Sequence, residues 1–246
     1  ANSAKIETLT VGKDANLEIT NELSITTGTV VGNATIAANR TEIITLKVGV
    51  DEEGVAGSNA SITAGETTVG TLNVTGTLTA QLTSLTVETL LDVDGEATIT
   101  VAEALIAETI DVAENATINA DSAEIETLNV GADAVLTIAN GLKITEATVD
   151  GNATVEADSA EIEPLKVGAD AKLTVADALK ITEATVDGNA IVKAGSAEIT
   201  TLTVGNDVDL EITNELSITT GTVGGNANIT AGETTVDTLN VTGDLT

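Results

Sequence analysis

Apolar residues in this chain recur in pairs two positions apart, and the pairs return at a spacing that alternates between about 18 and 19 residues. A period of two is that of a β-strand with one buried face. Its return along nearly the whole chain makes the object a repeat, in which each unit buries its apolar side only by stacking on the next. The repetition is literal in places. Ser122-Ala123-Glu124-Ile125 comes back at Ser159 and at Ser196, the phrase that starts at Glu18 comes back from Glu211, and that of Ala64 comes back from Ala231.

The pairs sort into three faces. Face a holds Leu9/Val11, Leu46/Val48, Leu72/Val74, Leu128/Val130, Leu165/Val167, Leu202/Val204 and Leu239/Val241, with Gly28, Ala147, Ala184 and Gly221 as smaller first members. Its first residues fall at 9, 28, 46, 72, 90, 110, 128, 147, 165, 184, 202, 221 and 239. Face b holds pairs such as Leu17/Ile19, Ala34/Ile36, Leu136/Ile138 and Ala153/Val155, and face c pairs such as Ala4/Ile6, Leu23/Ile25 and Leu142/Ile144. A constant two-residue link, as in Ile6-Glu7-Thr8-Leu9, joins c to a, and Gly, Asp and Asn mark the corner from a to b, where a tight turn needs positive φ. The expected fold is all-β: one parallel β-solenoid over residues 1–246, of about thirteen three-stranded coils of 18–19 residues, with a corner insertion near 49–59 and uncapped ends.

Composition agrees and prunes the chemistry. The chain has no Phe, Tyr, Trp, His, Cys or Met, so its core is narrow and filled by Val, Ile, Leu and Ala. No thiol or imidazole is available for nucleophilic or general-base catalysis or for a Cys/His zinc site, and short even coils leave no cleft, so no enzyme is expected. A net charge of -30 disfavours nucleic acid and anionic membranes as partners and favours cations, and no stretch is long enough for membrane insertion.

The outward residues stack into columns whose successive members are about 4.8 Å apart. On face c the column reads Glu124, Lys143, Glu161, Lys180, Glu198, a ladder of alternating charge; on face b it reads Thr79, Thr98, Thr117, Thr137, Thr154, Thr174. The a-to-b corner carries Asp94, Glu96, Asp133, Asp150, Asp170, Asp187 and Asp207, an acidic edge that is either solvated or bridged by Ca²⁺; no cofactor is required. The first strand, Ala4-Lys5-Ile6, lies on face c and the last, at Leu245, on face b, so the last strand of one copy is followed in phase by the first of another. The expected assembly surface is Ala4, Ile6, Leu9, Leu239, Val241 and Leu245, and the expected partner is the protein itself.

Coils near nineteen residues with Thr/Asn/Gly corners resemble the filamentous-haemagglutinin-type surface solenoids, and Gly151-Asn152-Ala153-Thr154-Val155 resembles the polymerising bactofilins. The flat Thr column is similar to the ice-contacting face of insect antifreeze solenoids. The first resemblance implies an extracellular or cell-surface fibre, with an adhesin stalk or passenger segment as the alternative. The second implies a cytoskeletal polymer.

Overall fold

The computed structural model describes residues 1–12, 15–30, 35–48, 59–75, 77–94, 97–113, 115–131, 133–168 and 170–244. Glu96, Leu245 and the insertion at 49–58 lie outside the described residues. The elements are β1 (Ser3–Val11), β2 (Asn16–Val30), β3 (Thr35–Val48), β4 (Asn59–Val74), β5 (Thr77–Val93), β6 (Thr98–Val112), β7 (Thr117–Val130), β8 (Val135–Val149), β9 (Thr154–Val167), β10 (Lys172–Val186), β11 (Ile191–Val204), β12 (Val208–Val223) and β13 (Ala227–Val241).

One strand spans a whole coil, running through faces b, c and a, where three separate strands were expected. In β7, Ile118 and Ala120 point inward, then Ala123 and Ile125, then Leu128 and Val130. At both bends of β7 two outward residues follow one another, Asp121-Ser122 and Glu126-Thr127, and this parity change returns the next residue to the core; in β8, β10 and β12 the b-to-c bend is one residue longer. The bends keep the ladder hydrogen-bonded and show only as register shifts, as between Val175 and Ala178 in the β10–β11 pair. Only the a-to-b corner interrupts the strand, and in the corners from β7 to β12 it does so with residues of positive φ.

The residues divide into two compact units, Ala1–Ile125 and Glu126–Thr246, with the division inside β7. In the first, β1 to β6 pair consecutively and in parallel. In the second, β8 to β13 do the same. Parallel pairing of consecutive strands, each one coil further along the chain, defines a β-solenoid. Complete turns number about eleven and not thirteen. Among the described residues β1 supplies faces c and a, and β13 pairs with β12 alone.

The core consists of stacked columns of aliphatic side chains, among them Leu23, Leu85, Leu105, Leu128, Leu136 and Leu173, all essentially inaccessible to solvent. Each such burial stabilises the fold by ~1.5–3 kcal/mol before chain entropy is counted. Two parts of the expected core are corrected. Face b has three inward positions, not two. Leu136 stacks on Val155 and Ile138 on Ala157, so the Leu-rich and Ala-rich pairs of face b are offset by two residues; Ala134 and Ala153 occupy the first position at the corner. In β5 the bend holds one residue more than elsewhere, and Leu91 and Val93, not Leu90, stack on Leu72 and Val74. That bulge keeps Asp92 outside, where a Leu90-first register would drive its carboxylate into the core.

Face c has a polar surprise. Thr41 and Thr67 stack on each other at the position that Leu23 and Leu85 fill in the adjacent coils, and both are buried. Their hydroxyls have no hydrogen-bond partner among the described residues.

Candidate functional site

The acidic corner is built by backbone conformation. Asp133, Asn152, Asp170, Asn189 and Asp207 all have positive φ, between 56° and 66°. Asp and Asn tolerate this left-handed conformation better than other residues with a Cβ, which accounts for their presence here. In alternate coils Gly151 and Gly188 precede the Asn and also have positive φ (65° and 71°), giving a primed turn of the Asp-Gly-Asn type. In the other coils the turn closes through the Ala134 N–H on the Gly131 carbonyl (3.1 Å) and the Ala171 N–H on the Gly168 carbonyl (2.9 Å).

The acids therefore do not form one column. Asp133, Asp170 and Asp207 share the left-handed position with Asn152 and Asn189 between them, and Asn189 Nδ2 donates to Asp170 Oδ1 at 3.2 Å. Asp150 and Asp187 open the corner two coils apart, with Gly168 between them. The Asp187 carboxylate accepts the N–H groups of Gly188 (2.9 Å) and Asn206 (2.6 Å), and Asp150 accepts that of Gly151 (3.0 Å). The glycines make room: a Cβ on Gly205 would lie 2.2 Å from Asp187 Oδ1, and one on Gly168 3.0 Å from Asp150 Oδ1. Asp94 stands at the corner after β5, its N–H on the Val74 carbonyl. Among the described residues no group of three or more acids converges as a metal site.

Asp92 lies on the outer side of β5, half-buried. Partial burial, then the charges of Asp111 stacked on it and of nearby Asp94, pushes its carboxyl above the usual range.

The face-c ladder holds within Glu126–Thr246: Lys143 lies beside Glu161, Glu161 beside Lys180 and Lys180 beside Glu198, with Lys180 Nζ 3.4 Å from Glu161. Two further ion pairs lie on face b: Lys172 Nζ stands 3.9 Å from Glu156 on a diagonal across the β9–β10 pair, and Lys193 pairs in register with Glu211, a rung hidden from the sequence by the offset. The hydrogen bond to Glu211, and then its charge, holds the Lys193 ammonium above its ordinary range. Thr98 lies beside Thr79 as expected, but in the second unit the same offset breaks the Thr column. Thr137 and Thr174 lie beside Glu156, and Thr154 lies beside Val135 and Lys172, so no uninterrupted hydroxyl row crosses this unit as an ice-contacting face requires.

At the edges, Ala4, Ile6 and Leu9 of β1 are half-buried. On β13, Leu239 and Val241 are 46% and 41% exposed, while Leu202 and Val204 at the same places in β11 are 2% and 1% exposed. No family model matches the chain, and no curated protein or solved structure is significantly similar to it.

Proposed function

We propose that the protein is a structural β-solenoid that associates with copies of itself, edge to edge, to build a fibre. The observation that carries this reading is the apolar row on β13: Leu239 and Val241 continue the buried columns of face a and are exposed. An open strand with unpaired N–H and C=O groups and an apolar inner side is a template for a further strand. The role is mechanical and not catalytic. An extracellular or cell-surface location accompanies the reading through the surface-solenoid resemblance.

One observation favours a second reading, a stalk segment of a longer surface chain. From residue 226 to 241 the sequence repeats that of 59 to 74 except for Asn228 in place of Ser61 and Asp237 in place of Gly70. In the first unit that strand, β4, is covered by β5 of the same chain. Sedimentation velocity across a range of concentrations tests the fibre. Growing species that vanish in Leu239→Asp and Val241→Lys support it, and a monomer at all concentrations refutes it and leaves the stalk.

A further inference from the structure

The edge of β13 could in principle accept a strand in several registers, and the columns beneath it distinguish among them. We infer that its occupant is β1 of a second copy of this chain, seated with Ala4 on Thr234, Ile6 on Val236, Leu9 on Leu239 and Val11 on Val241. The inference rests on the fibre reading and specifies its junction.

Side-chain volume is the first argument. In the first unit the leading position of face c runs Leu23, Thr41, Thr67, Leu85 through four consecutive coils, a pair of small residues between two large ones. In the second unit that position ends with Leu216 under Thr234. In a second copy it begins with Ala4 under Leu23. Joining them gives Leu216, Thr234, Ala4, Leu23, which has the same order of volumes as the internal run. Face a agrees: Leu9 on Leu239 repeats the internal stacking of Leu46 with Leu72, and Ile6 on Val236 repeats Ile43 with Val69.

The bends are the second argument. β13 turns from face c to face a at Asp237, between the paired residues Val236 and Thr238, and β1 turns at Glu7, between Ile6 and Thr8. Only the stated register superimposes these bends. A slip of one residue turns every apolar side chain outward, and a slip of two lays the bend of one strand over a straight run of the other. In this register the outward Lys5 lies beside Thr235, Glu7 beside Asp237 and Thr10 beside Asn240.

The protein contains no Cys, so introduced thiols report the register without background. Neighbouring parallel strands bring facing Cα atoms to about 4.8 Å, within the span of a disulfide. Lys5→Cys and Thr235→Cys, both at exposed positions, are mixed and oxidised mildly; covalent dimers are expected, and the double variant is expected to give a ladder of higher multiples. The mixture of Lys5→Cys with Asn240→Cys, five residues out of register, is expected to give none. Fibres that cross-link through the second pair, or through neither, overturn the register and leave the fibre standing. An absence of both assemblies and cross-links overturns the two together.

Discussion

Gly205→Ala should destabilise the protein only while residue 187 is an aspartate. Gly205 has no positive φ, so alanine suits its backbone, and the conflict lies wholly with the coil below. Its new Cβ would stand 2.2 Å from Asp187 Oδ1 and 2.4 Å from Cγ, and the carboxylate must leave. It then gives up the N–H groups of Gly188 and Asn206. Hydrogen bonds to a charged acceptor are worth ~1.5–3 kcal/mol each where buried, and this corner is exposed, so the combined loss is about 1–3 kcal/mol. In an Asp187→Ala background the same substitution meets no carboxylate. There it should stabilise by about 0.5 kcal/mol, because alanine restricts the unfolded chain more than glycine. Urea unfolding of the four proteins in this cycle measures both numbers, with amide exchange at Gly188 and Asn206 as the local readout. Equal costs in the two backgrounds would refute the claim that the corner acids serve the turn.

Three further outcomes follow from the same geometry. Thr41→Val removes a buried hydroxyl that has no partner among the described residues and keeps the side-chain shape; it should stabilise by about 1 kcal/mol, measured by the shift in the urea midpoint at unchanged slope. Asp92→Asn should raise the melting temperature at neutral pH. The wild-type carboxyl is raised in the fold, so its charged form penalises the native state above that raised value; the advantage of the variant should fade as pH falls and disappear below the ordinary aspartate range, near ~4. In the assembled form, Asp237→Asn removes a carboxylate that the proposed register sets against Glu7, with Lys5 on the adjoining face as the nearby cation. It should lower the critical concentration for assembly at fixed salt, and the gain should shrink as salt rises.

Faces a and c were legible in the sequence because the link between them is constant: wherever a pair such as Ile6-Glu7-Thr8-Leu9 recurs, the inward residues count themselves. Face b was not. It holds three inward positions, and Ala fills any of them, so Ala153/Val155 and Leu136/Ile138 look equivalent by letter while sitting two residues apart in register. That slip produced an apparent Thr column and hid the Lys193–Glu211 rung. Leu90 and Leu91 are both apolar, and only the cost of turning the Asp92 carboxylate into the core chooses between them. At the corner, residue type showed that turns were present. The alternation of Gly-Ala-Asp with Asp-Gly-Asn was legible too; what stacking adds is that Asp and Asn share one left-handed position, and that the Gly opening one corner makes room for the Asp opening the corner before it. Thr41 and Thr67 escaped because a hydroxyl argues against a core that in fact accepts their methyl groups.

Negative-stain electron microscopy of the purified protein, over a series of concentrations, tests the central claim most directly. Long unbranched threads one solenoid wide, lost in Leu239→Asp, are the predicted result. A field of separate single-chain particles at every concentration would contradict it.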